Sequence, residues 1–117
     1  MSEHDEQKAL MKWCELDKER KLIFAIPNGT YIKTHASRNR AKAEGLKKGV
    51  PDLFLPIARH GFNGLFIEMK KPKDKTPAGR PTKEQLVWMD TLSNQGYMAV
   101  LCIGWDAAKK TIEEYLC

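Results

Sequence analysis

Two carboxylates interrupt stretches that otherwise read as buried strands. Asp52 lies within Val50-Pro51-Asp52-Leu53-Phe54-Leu55-Pro56-Ile57, and Glu68 within Gly64-Leu65-Phe66-Ile67-Glu68-Met69-Lys70. Both runs have strand length and are apolar around the acid. An unpaired carboxylate is expensive to bury, so acids in such places come with a cation or a set of donors. Side chains alternate along a strand, which puts Glu68 and Lys70 on one face and Met69 on the other. His60-Gly61-Phe62-Asn63-Gly64 is a natural hairpin connection between the two runs. Paired as a hairpin, they bring Asp52 and Glu68 side by side.

Two hard oxygen ligands a few ångströms apart suit Mg²⁺ or Mn²⁺, which take carboxylates, a carbonyl and retained waters. Lys70 beside them is placed to position an attacking water, while the ion stabilises charge growing on a phosphate. The pattern is Pro-Asp followed, 16 residues after the Asp, by Glu-x-Lys. The plainer reading makes Asp52 a turn cap and Glu68–Lys70 a surface ion pair. The apolar neighbours on both sides weigh against that exposure.

Charge supplies a second constraint. Of 20 Lys and Arg, 13 lie between Gly29 and Lys83 with only 4 of the 15 Asp and Glu, so this stretch carries +9 and the remainder −4. A basic middle between acidic ends suggests one face built for a polyanion, with DNA or RNA the usual candidate. Lys33, Arg38, Arg40, Lys42, Lys47 and Lys48 precede the Asp52 strand, and Lys71, Lys73, Lys75, Arg80 and Lys83 follow Lys70. These are the expected phosphate contacts, which position a nucleic acid without reading its sequence.

At 117 residues the chain is expected to form a single domain, 1–117. Apolar spacing predicts a helix from Ser2 to about Lys18, with Ser2 as cap. Leu22 to Ile26 reads as a short buried strand ended by Pro27-Asn28-Gly29, and Ser37 to Leu46 as a basic helix. After the two acid-bearing strands comes a Lys/Pro-rich loop, Lys71–Pro81. A helix capped by Thr82 then runs to about Asn94, with Leu86, Val87, Met89 and Leu92 as its inward side. Tyr97–Ile103 is apolar throughout and is expected to be a central strand, followed by a helix from Asp106 to Leu116. The fold class is thus α/β, in the order α-β-α-β-β-α-β-α, a mixed sheet flanked by helices. Trp13 and Trp88 are expected in the core, Tyr31 in a turn, and His35 and His60 outside the chemistry.

Cys14, Cys102 and Cys117 are odd in number, widely spaced and without a CxxC, which fits a reducing cytoplasm better than a disulfide framework or a zinc knuckle. No apolar run approaches the ~20 residues of a membrane span, and the acidic start lacks the apolar stretch of a secretory signal.

Gly49-Val50-Pro51-Asp52-Leu53, then Phe66-Ile67-Glu68-Met69-Lys70, then Thr82-Lys83-Glu84-Gln85-Leu86-Val87-Trp88 resembles the virus-type replication-repair nuclease (VRR-Nuc) domain of the PD-(D/E)xK nuclease superfamily. The resemblance extends over nearly the whole chain, including Pro27-Asn28-Gly29 and Glu3-His4-Asp5-Glu6-Gln7. It implies a restriction-endonuclease-like core and a Mg²⁺- or Mn²⁺-dependent phosphodiesterase acting on DNA. Asp52 and Glu68 would hold the metal with the backbone carbonyl of Met69, Lys70 would be the catalytic lysine, and Gln85 the motif glutamine. It also implies a glutamate on the first helix, matching Glu3, four residues from Gln7. At 100° per residue, however, Glu6 projects nearer the centre of that helix's apolar stripe.

Small stand-alone members look like phage or mobile-element proteins and act on branched DNA such as four-way (Holliday) junctions, which in a phage-encoded case places the chain in the host cytoplasm. No recognition module is evident, so structure-selective cutting is expected over sequence-specific cutting. A domain this small has little surface for two duplexes, and a homodimer supplies two active sites. The alternative is a nucleic-acid-binding protein that keeps the fold and does not cut.

Overall fold

A computed structural model of the chain describes residues 1–27, 34–72 and 80–117. The first helix, α1 (Glu3–Cys14), starts at a capping box: the Ser2 hydroxyl accepts from the Asp5 N–H, and the Asp5 carboxylate accepts from the Ser2 N–H. A one-turn 3₁₀ helix at Arg20–Leu22 leads into β1 (Phe24–Ala25). Then follow α2 (His35–Ala43), β2 (Leu53–Leu55), β3 (Leu65–Lys70), α3 (Lys83–Asn94), β4 (Met98–Ile103) and α4 (Trp105–Leu116).

The strands form one mixed sheet in the order β1-β2-β3-β4, antiparallel from β1 to β3 and parallel between β3 and β4. Alternation sorts its two faces. Leu53, Leu55, Leu65, Ile67, Met69 and Cys102 turn to one side, where Leu10 and Cys14 of α1 and Ala108, Ile112 and Tyr115 of α4 close the buried core. Phe54, Phe66, Glu68 and Lys70 take the other side. There α3 lies along β4, and Phe24, Phe54, Phe66 and Tyr97 form a ring cluster with centroids 4.3–5.8 Å apart. One sheet face therefore carries the core, and the opposite face carries the acids.

Several expected elements differ in detail. The Leu22–Ile26 run is not a buried strand: only Ile23 enters the core, while Phe24 is half exposed. The Asp17 carboxylate, accepting from the Glu19 and Arg20 N–H groups, turns the chain into the 3₁₀ helix and leaves two residues to pair. The basic helix begins at His35, because the Thr34 hydroxyl accepts from the Ser37 N–H and caps it there.

Among the described residues β4 is an edge strand and not a central one. Its apolar character comes from being covered on both faces, by α3 and α4, which neighbouring strands are not needed to explain. The phase of α3 also differs: Leu86 and Val87 are exposed, and Gln85, Trp88, Met89 and Leu92 turn inward. The Thr82–Gln85 capping box sets that phase by facing Gln85 toward the sheet.

Candidate active site

The hairpin register fixes the relation of the two acids. Leu53 pairs with Ile67, so one step further Asp52 stands opposite Glu68 on the outer face. The backbone holds Asp52 from both sides: its carbonyl accepts from the Ile26 N–H at 2.7 Å, and its Oδ2 accepts from the Met69 N–H at 2.7 Å. The Met69 side chain is buried in the core, so only its backbone borders the acids. Glu68 is 1% exposed. Its Oε2 accepts from Gln85 Nε2 at 3.1 Å and lies 3.9 Å from Lys70 Nζ, while its Oε1 is buried without a hydrogen-bond partner.

Glu3, on the first turn of α1, completes the group. Among the described residues, Glu3, Asp52 and Glu68 each offer an oxygen within 4.8 Å of the others. Glu6 turns elsewhere: it is 6% exposed, and its Oε2 faces the Trp105 N–H at 3.5 Å. It thus supplies negative charge to the N-terminus of α4, where Gly104 provides no side-chain cap. Glu6 does occupy the apolar stripe of α1, as the helical wheel indicates, and that places it away from the acid group.

Three carboxylates this close repel one another, and Glu68 is almost cut off from water. Burial pushes the Glu68 carboxyl up to about 9, with the charge and hydrogen bond of Asp52 and the charge of Glu3 adding to the rise and Lys70 opposing it. Glu3 is also raised, first by burial and then by Asp52, with Lys70 and Lys71 opposing. Repulsion among acids plus an unsatisfied buried oxygen is the arrangement a divalent cation relieves.

Gln85 orients this group. Its Oε1 accepts from the Thr82 N–H at 2.8 Å in the capping box, which leaves only the amide NH₂ to face Glu68. Thr82 therefore sets the amide's direction as well as starting the helix. Gly49, at φ +91°, lets the chain entering β2 pass against Glu84: a Cβ there would lie 2.7 Å from Glu84 atoms.

The acids floor a cleft of about 890 Å³. Lys70, Thr82 and Gln85 share its lining, and Arg38, Lys42, Lys47 and Lys48 supply its cationic side. Arg38 and Lys42 are four residues apart on α2 and share one helix face; Arg40 and Arg80 are exposed and do not line the cleft. Lys71 lies near enough to act on Glu3. Lys33, Lys73 and Lys75, with Tyr31, fall outside the described residues.

The VRR-NUC domain model matches residues 1–106. The chain belongs to the VRR-NUC domain family. A solved structure titled VRR_NUC domain protein is similar to it at a TM-score of 0.81 and 28% identity, covering 99% of this chain and 88% of that one. No curated protein matches the chain. The family and the neighbour assign the chain a nuclease-type fold, in which a mixed four-stranded sheet is flanked by helices. No helix among the described residues is long and apolar enough to cross a membrane.

Sequence reasoning missed two contributors to this VRR-NUC site, Thr82 and Gly49, and misjudged the surroundings of Trp88 beside it. Thr82 reads as a helix cap in any sequence, and its hold on the Gln85 amide shows only once Gln85 is seen against Glu68. Gly49 reads as a helix stop. Trp88 reads as core, yet Trp13 packs against the core and Trp88 does not.

Proposed function

We propose that this VRR-NUC domain is a Mg²⁺- or Mn²⁺-dependent endonuclease that hydrolyses DNA phosphodiester bonds, selecting branched substrates such as four-way junctions. The observation that carries the reading is the acid group itself: three carboxylates within 4.8 Å, one buried oxygen unpartnered, and the Lys70 ammonium 3.9 Å from Glu68. A protein that only bound DNA would have no use for a carboxylate 1% exposed at the bottom of a cationic cleft.

The donor set fits a small hard cation. Asp52 and Glu68 would hold it, with the Met69 carbonyl and Glu3 completing or adjusting the set; the ion supplies charge stabilisation to the phosphoryl oxygens. The chain's own groups do the rest. Arg38, Lys42, Lys47 and Lys48 draw in the phosphate backbone and set its path across the acids. Lys70, 8% exposed, keeps its ammonium at the cleft floor, where it hydrogen-bonds the attacking water and orients its lone pair toward phosphorus. Gln85 holds Glu68 in one orientation, and the Met69 N–H does the same for Asp52.

Two copies acting together would give paired cuts across a branch point. The outer edge of β4, which no strand among the described residues pairs with, and the exposed Leu86 and Ile103 support such a homodimer. The test is a cleavage panel of single-stranded, duplex, flap and four-way DNA in Mg²⁺, Mn²⁺ and Ca²⁺. Cutting of the branched substrates in Mg²⁺ or Mn²⁺, with binding alone in Ca²⁺, is expected. Asp52→Ala and Lys70→Ala should abolish cutting and leave binding largely intact; full activity in either variant overturns the reading.

A further inference from the structure

Beside the acid cleft lies a second, shallower hollow of about 370 Å³, lined by Lys48, Lys83, Glu84, Val87 and Trp88. Lys48 lines both cavities, so the two adjoin at that residue. The hollow has room for about a dozen waters at ~30 Å³ each, enough for a base together with its sugar and phosphate. Its floor is apolar. Val87 is 57% exposed, a poor place for a β-branched residue unless something covers it. Trp88 is half-buried, outside the core, and among the described residues no ring or cation packs on its indole. The other two tryptophans are used: Arg20 sits 3.8 Å from the Trp13 ring centroid, and Lys109 lies 5.8 Å from that of Trp105.

We propose that this hollow is a nucleobase site. An unpaired base of the strand entering the cleft stacks on Trp88 against Val87, and Lys48 and Lys83 meet the phosphates on either side of it. An aromatic platform between cations, adjoining a cationic cleft, is the chemistry that takes single-stranded nucleic acid in preference to paired bases, whose faces are already stacked. Glu84, 3.9 Å from Lys48, sets a negative charge in the wall of the hollow itself, so the uncharged base, not a phosphate, lies over its floor. The proposal rests on the nuclease reading of the neighbouring cleft and deepens it: the selected feature of a branched substrate is an unstacked nucleotide flanking the scissile bond.

The test uses the full chain in Ca²⁺ with an oligonucleotide carrying an unpaired segment, in which 2-aminopurine or an abasic residue replaces one nucleotide at a time. One position near the cleavage site should show 2-aminopurine quenching on binding, and an abasic residue there should weaken binding about tenfold. Trp88→Ala should lose both effects, whereas Trp88→Phe, which keeps a ring, should retain them, with circular dichroism verifying the fold of each. Cleavage by the wild type with no position sensitive to base removal overturns the base site and leaves the nuclease reading standing. A base-dependent, Trp88-dependent signal without cleavage in any metal does the reverse. Absence of binding to any unpaired DNA overturns the base site outright.

Discussion

Replacing Gln85 by leucine isolates the most interdependent contact in the site. The substitution removes the hydrogen bond from Nε2 to Glu68 Oε2 (3.1 Å) and the one that Oε1 accepts from the Thr82 N–H (2.8 Å), while keeping the side chain's bulk. Glu68 Oε2 then loses its Gln85 donor at a position 1% exposed, where Oε1 already has no hydrogen-bond partner. A hydrogen bond to a charged group contributes about 1.5–3 kcal/mol. Because Glu68 must be ionised to hold a cation, that loss falls on the ion-loaded state, and divalent affinity should drop roughly 10- to 100-fold. Folding should lose about 1 kcal/mol through the weakened cap. Gln85→Glu should behave differently: a glutamate preserves the capping box but sets a fourth carboxylate against Glu68, lowering metal-free stability and tightening Mn²⁺ binding. Calorimetric titration of chelator-treated protein with Mn²⁺, alongside urea unfolding, reads both quantities. Mn²⁺ affinity within twofold of wild type in a folded Gln85→Leu protein would refute the coupling.

Further outcomes follow from the same geometry. Glu68 has a raised carboxyl in the folded state, so in chelator it favours folding only while protonated. Its contribution is full below about 4.5 and is lost as pH rises toward about 9, at a slope of at most about 1.4 kcal/mol per unit. Urea melts in chelator should show wild type losing stability relative to Glu68→Gln between pH 6 and 8.5, and an equal slope in both would contradict it. Glu3→Ala should weaken Mn²⁺ binding with little change in stability, and Glu6→Ala should cost about 1–2 kcal/mol of folding with Mn²⁺ affinity retained; the opposite assignment would show that Glu6 faces the ion. Arg38→Ala should reduce DNA affinity and lower the salt dependence of binding by about one counterion, whereas Arg40→Ala should do neither. Equal losses from both would place the DNA path outside the cleft.

The acid pair was legible because its cause is local. A carboxylate inside an apolar strand needs a reason, and strand alternation with a short hairpin leaves only one way for Asp52 and Glu68 to meet. Gln85 and Glu3 come only through family resemblance, since no periodicity separates a glutamine turned toward a buried acid from an exposed one. The choice between Glu3 and Glu6 depends on α4, whose uncapped start at Gly104 draws Glu6 away, and that tertiary fact lies 99 residues along the chain. An apolar strand between two helices and an apolar strand between two strands have the same composition, so the sequence does not show that β4 lies at the edge of the described sheet. Leu86 and Val87 read as inward, and Trp88 as core, for a similar reason: apolar character shows that a residue can be covered, but not by what.

The most direct test of the account is an anomalous-scattering experiment on crystals grown with Mn²⁺. The expected result is a peak among Glu3, Asp52 and Glu68, about 2.1–2.2 Å from the Asp52 and Glu68 oxygens, with Lys70 alongside. A peak elsewhere on the molecule, or none among the three carboxylates at saturating Mn²⁺, would contradict it.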